Sequence, residues 1–149
     1  EKELSLEVII AACPHSDYEK REGVFGDRII RKHKTAELVS ESKLVIAHRS
    51  TAINYAILFR KPIILTATRS TYHHSSQKPY FDGFASALRK RIQFFDNPDE
   101  LDLTNIFNVN QKIYNKFIED YIKVPGSPDL PYWDIVFDSI KSSKILNNI

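Results

Sequence analysis

The sequence predicts an α/β protein, a parallel sheet flanked by helices and followed by a helical C-terminal tail. Three observations predict it. Short apolar runs at 7–12, 28–31, 43–47 and 62–67 have the length and polar boundaries of buried strands. Helical segments at 35–42 and 51–59 separate the last three, so strands and helices alternate. Polar corners at 13–19, 48–51 and 67–76 follow strands, and in a parallel sheet such corners fall at the carboxyl ends, where ligands collect.

Each element has a local cause. The first strand, EVIIAA over 7–12, ends at Pro14, and the polar turn after it leads towards a short helical piece that Asp17 can cap. A brief second strand precedes a helix over 35–42 with Thr35 as its cap. The third strand, 43–47, runs into the corner His48-Arg49-Ser50-Thr51, where Ser50 or Thr51 can cap a helix carrying Ala52, Tyr55, Ala56 and Phe59. Pro62 ends that helix and opens the fourth strand. Beyond residue 76 the pattern turns helical at 80–91, 109–121 and 132–145, with a short strand at 92–95 and a loop at 125–128. In the middle helix, Ile113, Phe117 and Tyr121 recur at i, i+4 and i+8, with Tyr114 and Ile118 beside them, as a core-packing stripe. We read 1–149 as one domain, of which 108–149 form the helical tail.

Composition narrows the function classes. A 42% hydrophobic content with 11% aromatics is globular, and a net charge of +2 provides no strong field for a nucleic-acid backbone. The run Arg89-Lys90-Arg91 suits the negative end of a helix and lacks the aromatic platform of a nucleic-acid site. One cysteine, Cys13, excludes an internal disulfide, fits a cytoplasmic setting, and is expected to be buried and inert. No apolar run approaches the roughly 20 residues of a membrane span, so no transmembrane segment is expected here, and peripheral membrane contact is open to a full protein. Methionine is missing throughout and Glu1-Lys2-Glu3 stands just ahead of a strand, so we expect a fragment of a longer protein.

The corner at 48–51 is the leading ligand site. A helix start leaves backbone N–H groups unpaired and concentrates positive dipole, so Ser50 and Thr51 beside Arg49 and His48 make a pyrophosphate seat, with a capped helix as the plain alternative. Arg49 can contribute a bidentate contact, and His48 can orient a phosphate oxygen. In the first corner, Ser16 and His15 lie near the ligand edge, and His15 is the candidate proton carrier because imidazole titrates near neutrality. The segment 67–76 reads as a mobile loop that closes over substrate, with Thr68, Arg69 and Ser70 nearest the strand end. His73 and His74 have no converging partners, so no metal is expected.

Three stretches carry a resemblance: IIAACPHSDYE at 9–19, TAELVSESKLVIAH at 35–48 and STAINYAILFRKPII at 50–64. In this order they resemble the C-terminal, donor-binding domain of GT-B glycosyltransferases of bacterial surface-carbohydrate and capsule biosynthesis, and more distantly the UDP-N-acetylglucosamine 2-epimerases. The resemblance covers about the first half of the chain. It implies a Rossmann-like half of a GT-B fold, a nucleotide diphosphate sugar as substrate with no cofactor, and a partner N-terminal domain holding most of the acceptor-activating machinery. It also implies the diphosphate at Ser50-Thr51 and the base near 28–34 including Lys34; relatives grip the ribose hydroxyls with a glutamate just before the Ala, where this chain has Asn54-Tyr55, and Asn54 can bond a hydroxyl more weakly. Three departures stand out: Cys13 precedes Pro14 where relatives have histidine, Tyr55 precedes Ala56, and the phosphate corner has no glycine. An epimerase-like enzyme and an interaction module without nucleotide affinity are the alternatives. Trp133 is either a core anchor or, preferably, a contact with the other domain.

Overall fold

The computed structural model describes residues 4–21 and 23–143, and within them every paired strand is parallel. β1 (Ile9–Ala12) pairs with β2 (Ile29–Lys32), Ile9 opposite Ile29. β3 (Val45–Ala47), β4 (Ile63–Ala67) and β5 (Ile92–Phe94) form a second sheet in that order, Val45 opposite Ile63 and Leu65 opposite Ile92. The helices are α1 (Thr35–Glu41), α2 (Ile53–Leu58), α3 (Arg69–His73), α4 (Lys78–Leu88), α5 (Gln111–Phe117) and α6 (Tyr132–Ser142). The chain is thus an α/β protein, two small parallel sheets flanked by helices, in the manner of a Rossmann-like half-domain.

The core lies on one face of the three-stranded sheet. Strands β3, β4 and β5 advance in one direction across the sheet, and right-handed crossovers then place α2 and α4 on the same side. Ile53 and Ile57 of α2, Leu88 of α4, and Tyr114 and Phe117 of α5 accordingly bury together against Ile63 and Leu65 of β4. The other face is open at β3, where Ile46 is 59% exposed, so the covered strand expected from 43–47 is covered on one side only. That strand is also shorter than expected. Ser42 closes α1 through bonds to Leu38 and Val39, and pairing starts only where the Val45 N–H meets the Pro62 carbonyl at 2.9 Å.

Several sequence expectations change in the same way, through local bonding. Thr35 is the first residue of α1 and its cap position is Lys34, which supplies no side-chain bond. Asp17 does not cap the short 3-10 turn Tyr18–Lys20 and instead pairs with Lys20 at 3.3 Å. α2 and α4 end on arginines in the left-handed region, Arg60 (φ 56°) and Arg89 (φ 50°). Each is locked by a bond from the following residue back into the helix, Lys61 N to Ala56 at 2.8 Å and Lys90 N to Ala85 at 3.0 Å. Arg89-Lys90-Arg91 therefore lies beyond α4. After α5 the chain winds as a π-helix over Ile118–Ile122, which turns Ile122 back towards the core and leaves Tyr121 65% exposed, outside the expected stripe.

Cys13 is exposed in the turn that follows β1, and Ile9 of β1 and Ile29 of β2 are exposed as well. Trp133 is 65% exposed and anchors no core. The end of the expected last helix, 144–145, falls outside the described residues. Among the described residues no helix is long and apolar enough to cross a membrane.

Candidate functional site

The carboxyl ends of β3, β4 and β5 carry a cluster of polar and aromatic side chains. At the end of β3, His48 sets its ring edge-on against the buried Phe81 ring of α4, centroids 5.0 Å apart. Partial desolvation by that packing, and then the neighbouring Arg49 charge, hold the imidazole below its ordinary value, so His48 is neutral at pH 7. Arg49 reaches in the same direction and lies over the ring of Tyr80, 5.3 Å from its centroid, where the cation meets the negative π face. Tyr80 is 57% exposed, so the pair lies at the surface.

The turn after Arg49 differs from the expected open helix start. The Ser50 Oγ accepts the Ala52 N–H at 3.1 Å, and the next three amides close i to i−3: Ile53 on Ser50 at 3.2 Å, Asn54 on Thr51 at 3.0 Å, Tyr55 on Ala52 at 3.1 Å. The helix proper begins at Ile53, not Thr51, and its first-turn donors are already bound. The side chains that face an anion at this corner are Arg49, the exposed Thr51, Asn54 at the helix start, and Ser50 through what its capping bond leaves free.

The β4 exit is built, not loose. In place of the expected mobile loop at 67–76 stands α3, capped by Thr68, whose Oγ1 accepts the Thr71 N–H at 3.1 Å and bonds Thr71 Oγ1 at 2.8 Å. The Arg69 N–H donates to Asp96 Oδ2 at 3.0 Å, so a carboxylate from beyond β5 occupies this helix start. The Arg69 guanidinium pairs with Glu100 and lies 4.9 Å over Phe94. α3 is also clamped to α4. Tyr72 Oη donates to Asp82 at 2.8 Å, Lys78 Nζ reaches the same carboxylate at 2.5 Å, and these two donors hold Asp82 below the usual carboxylate range. Thr68 and Arg69 are thus consumed by the fold.

The first corner stands apart, on the two-stranded sheet. His15 is exposed, and Ser16 spends its hydroxyl on the Cys13 carbonyl at 2.6 Å. Lys34 is exposed and pairs with Glu37 at 2.5 Å, which raises its pKa. His48, Arg49, Ser50, Thr51 and Asn54 stand together at one corner, and among the described residues no hydrogen bond, ion pair or ring contact joins His15, Ser16 or Lys34 to them. Tyr80 and Phe81, which hold Arg49 and His48, escaped the sequence reading, and only Pro79 marked a helix start beside them. No group of histidine, cysteine, aspartate and glutamate among the described residues could hold a metal ion.

No family model matches the chain, and neither a curated protein nor a solved structure shows significant similarity to it.

Proposed function

We propose that the chain is the donor-binding half of a glycosyltransferase of the GT-B kind, acting in surface-polysaccharide synthesis and taking a nucleotide diphosphate sugar at the end of β3. The observation that supports this most is Arg49, a cation held by stacking on the exposed Tyr80, beside the neutral His48 and at the carboxyl edge of a parallel sheet. In this reading the guanidinium binds the diphosphate and stabilises it as the leaving group. His48 gives or accepts one hydrogen bond, Thr51 supplies a hydroxyl, Asn54 binds a ribose hydroxyl, and Tyr80 offers a flat surface to the base or sugar. The acceptor and its activating base belong to a second domain, so this chain binds without turnover.

A second reading, an interaction module without nucleotide, is favoured by the closed first turn of α2, where backbone amides give a phosphate little to hold. Calorimetric titration with UDP-, GDP- and CDP-sugars and a CMP-sugar separates the two. Saturable heat with one of them, weakened at least tenfold in Arg49→Ala, supports the donor site; no heat with any favours the module.

A further inference from the structure

At the opposite, amino-terminal edge of the sheet, the end of α4 and the start of α5 border an open cleft of about 680 Å³. Its charged lining is Arg89, Lys90 and Lys112, without a carboxylate among the described residues. Its uncharged polar lining is Asn108, Asn110 and Gln111. We propose that this cleft binds a phosphate ester of a polyhydroxylated small molecule, the sugar-phosphate class.

The dipole of α4 favours Arg89 and Lys90 at its end, but no acidic side chain among the described residues pairs with any of the three cations. Arg89 and Lys90 follow α4, but the carbonyls of Ala85 and Ser86 are already taken by backbone N–H groups of these same two residues. Arg89 also occupies a left-handed position that favours glycine, so a cation is kept there at conformational cost. Lys112 stands in the first turn of α5, where the helix dipole disfavours positive charge and no acid accompanies it. Lys90 is partly buried, and burial alone lowers its pKa, with no acid acting on it. A partly desolvated ammonium without a partner is stabilised by an incoming anion.

The amides supply the complementary half. Asn110 Oδ1 accepts the N–H groups of Lys112 and Ile113 at 3.1 and 3.2 Å, which leaves its Nδ2 as a donor. Asn108 donates Nδ2 to Asn105 at 3.1 Å and keeps its own Oδ1 as an acceptor. Donors and acceptors of this kind suit hydroxyl groups, and the cations suit the phosphate. The same phosphate chemistry is offered by a lipid headgroup.

The test is an NMR amide titration of the whole chain with glucose 1-phosphate, inorganic phosphate, glucose, and phosphatidylcholine vesicles with and without phosphatidic acid. We expect glucose 1-phosphate to shift residues 88–90 and 108–113, inorganic phosphate to act at the same place more weakly, and glucose to have no effect. Lys90→Gln and Lys112→Gln each weaken binding about tenfold or more. Response to the acidic vesicles alone assigns the phosphate to a lipid and upholds the anion site. Arg89→Gly serves as a folded control, since glycine suits that backbone, and it weakens binding while raising the thermal midpoint. No shift with any phosphate, or binding undiminished in all three variants, overturns the proposal.

Discussion

Tyr114→Phe probes how the tail is fastened to the sheet. The phenol is 1% exposed within the core cluster, and its hydroxyl donates to the Lys61 carbonyl at 2.8 Å, just ahead of β4. Removing the hydroxyl leaves that carbonyl unpaired under the ring, which costs about 1–2 kcal/mol, or about 2–4 °C of midpoint per kcal/mol for a chain of this length. Burial pushes the phenol up to about 12, against a small opposing effect of Arg60. A folded-state value raised above the unfolded one gives stability that is complete below about pH 10 and is lost as pH rises towards about 12. Two pH units correspond to about 2–3 kcal/mol. Urea unfolding followed by far-ultraviolet circular dichroism from pH 8 to 11.5 checks both parts: wild type begins the more stable, and the variant draws level near about pH 11. Curves that stay parallel across this range would refute the placement of the phenol and its bond.

Four other outcomes follow from the same geometry. Ile57→Ala, at a side chain that is 0% exposed, destabilises by about 2–5 kcal/mol in chemical denaturation, whereas the exposed Leu58→Ala costs far less. Thr68→Ala removes the cap of α3 and costs about 0.5–2 kcal/mol, while Thr68→Ser retains it; equal losses in the two would count against the cap. Cys13 reacts with one equivalent of a thiol reagent in the native protein, and a reaction that waits for denaturant contradicts its exposure. In NMR titrations His48 protonates below the ordinary histidine range, and Arg49→Ala raises its midpoint without restoring it fully, because burial is the larger cause.

The sequence disclosed the order of elements because each strand and helix carries its own punctuation. Pro62, the apolar run of β4 and the alternation of β3, α2 and β4 are local signals, and the parallel pairing follows from them. The start of α2 was legible as a polar corner but not as a closed turn, since nothing in Ser50-Thr51 distinguishes a hydroxyl that caps one amide from an open anion seat. α3 was hidden for a different reason. Residues 69–73 have no apolar period, and their helix is secured by Thr68, by Asp96 from 27 residues downstream, and by the Tyr72 bond to Asp82. The exposure of Ile46 depends on a sheet face left uncovered, which no single strand encodes, and that of Cys13 on a turn that carries it past the end of β1. Tyr80 joins Arg49 only through folding, as does the meeting of Lys90 with Lys112.

The most direct test of the donor site is an amide-resolved titration of the folded chain with the nucleotide sugar that gives heat. Binding at the end of β3 predicts shifts confined to residues 47–55 and 78–82, the shift at Tyr80 disappearing in Arg49→Ala. Shifts that bypass Arg49 and Tyr80, or a spectrum unchanged by every nucleotide sugar, contradict it.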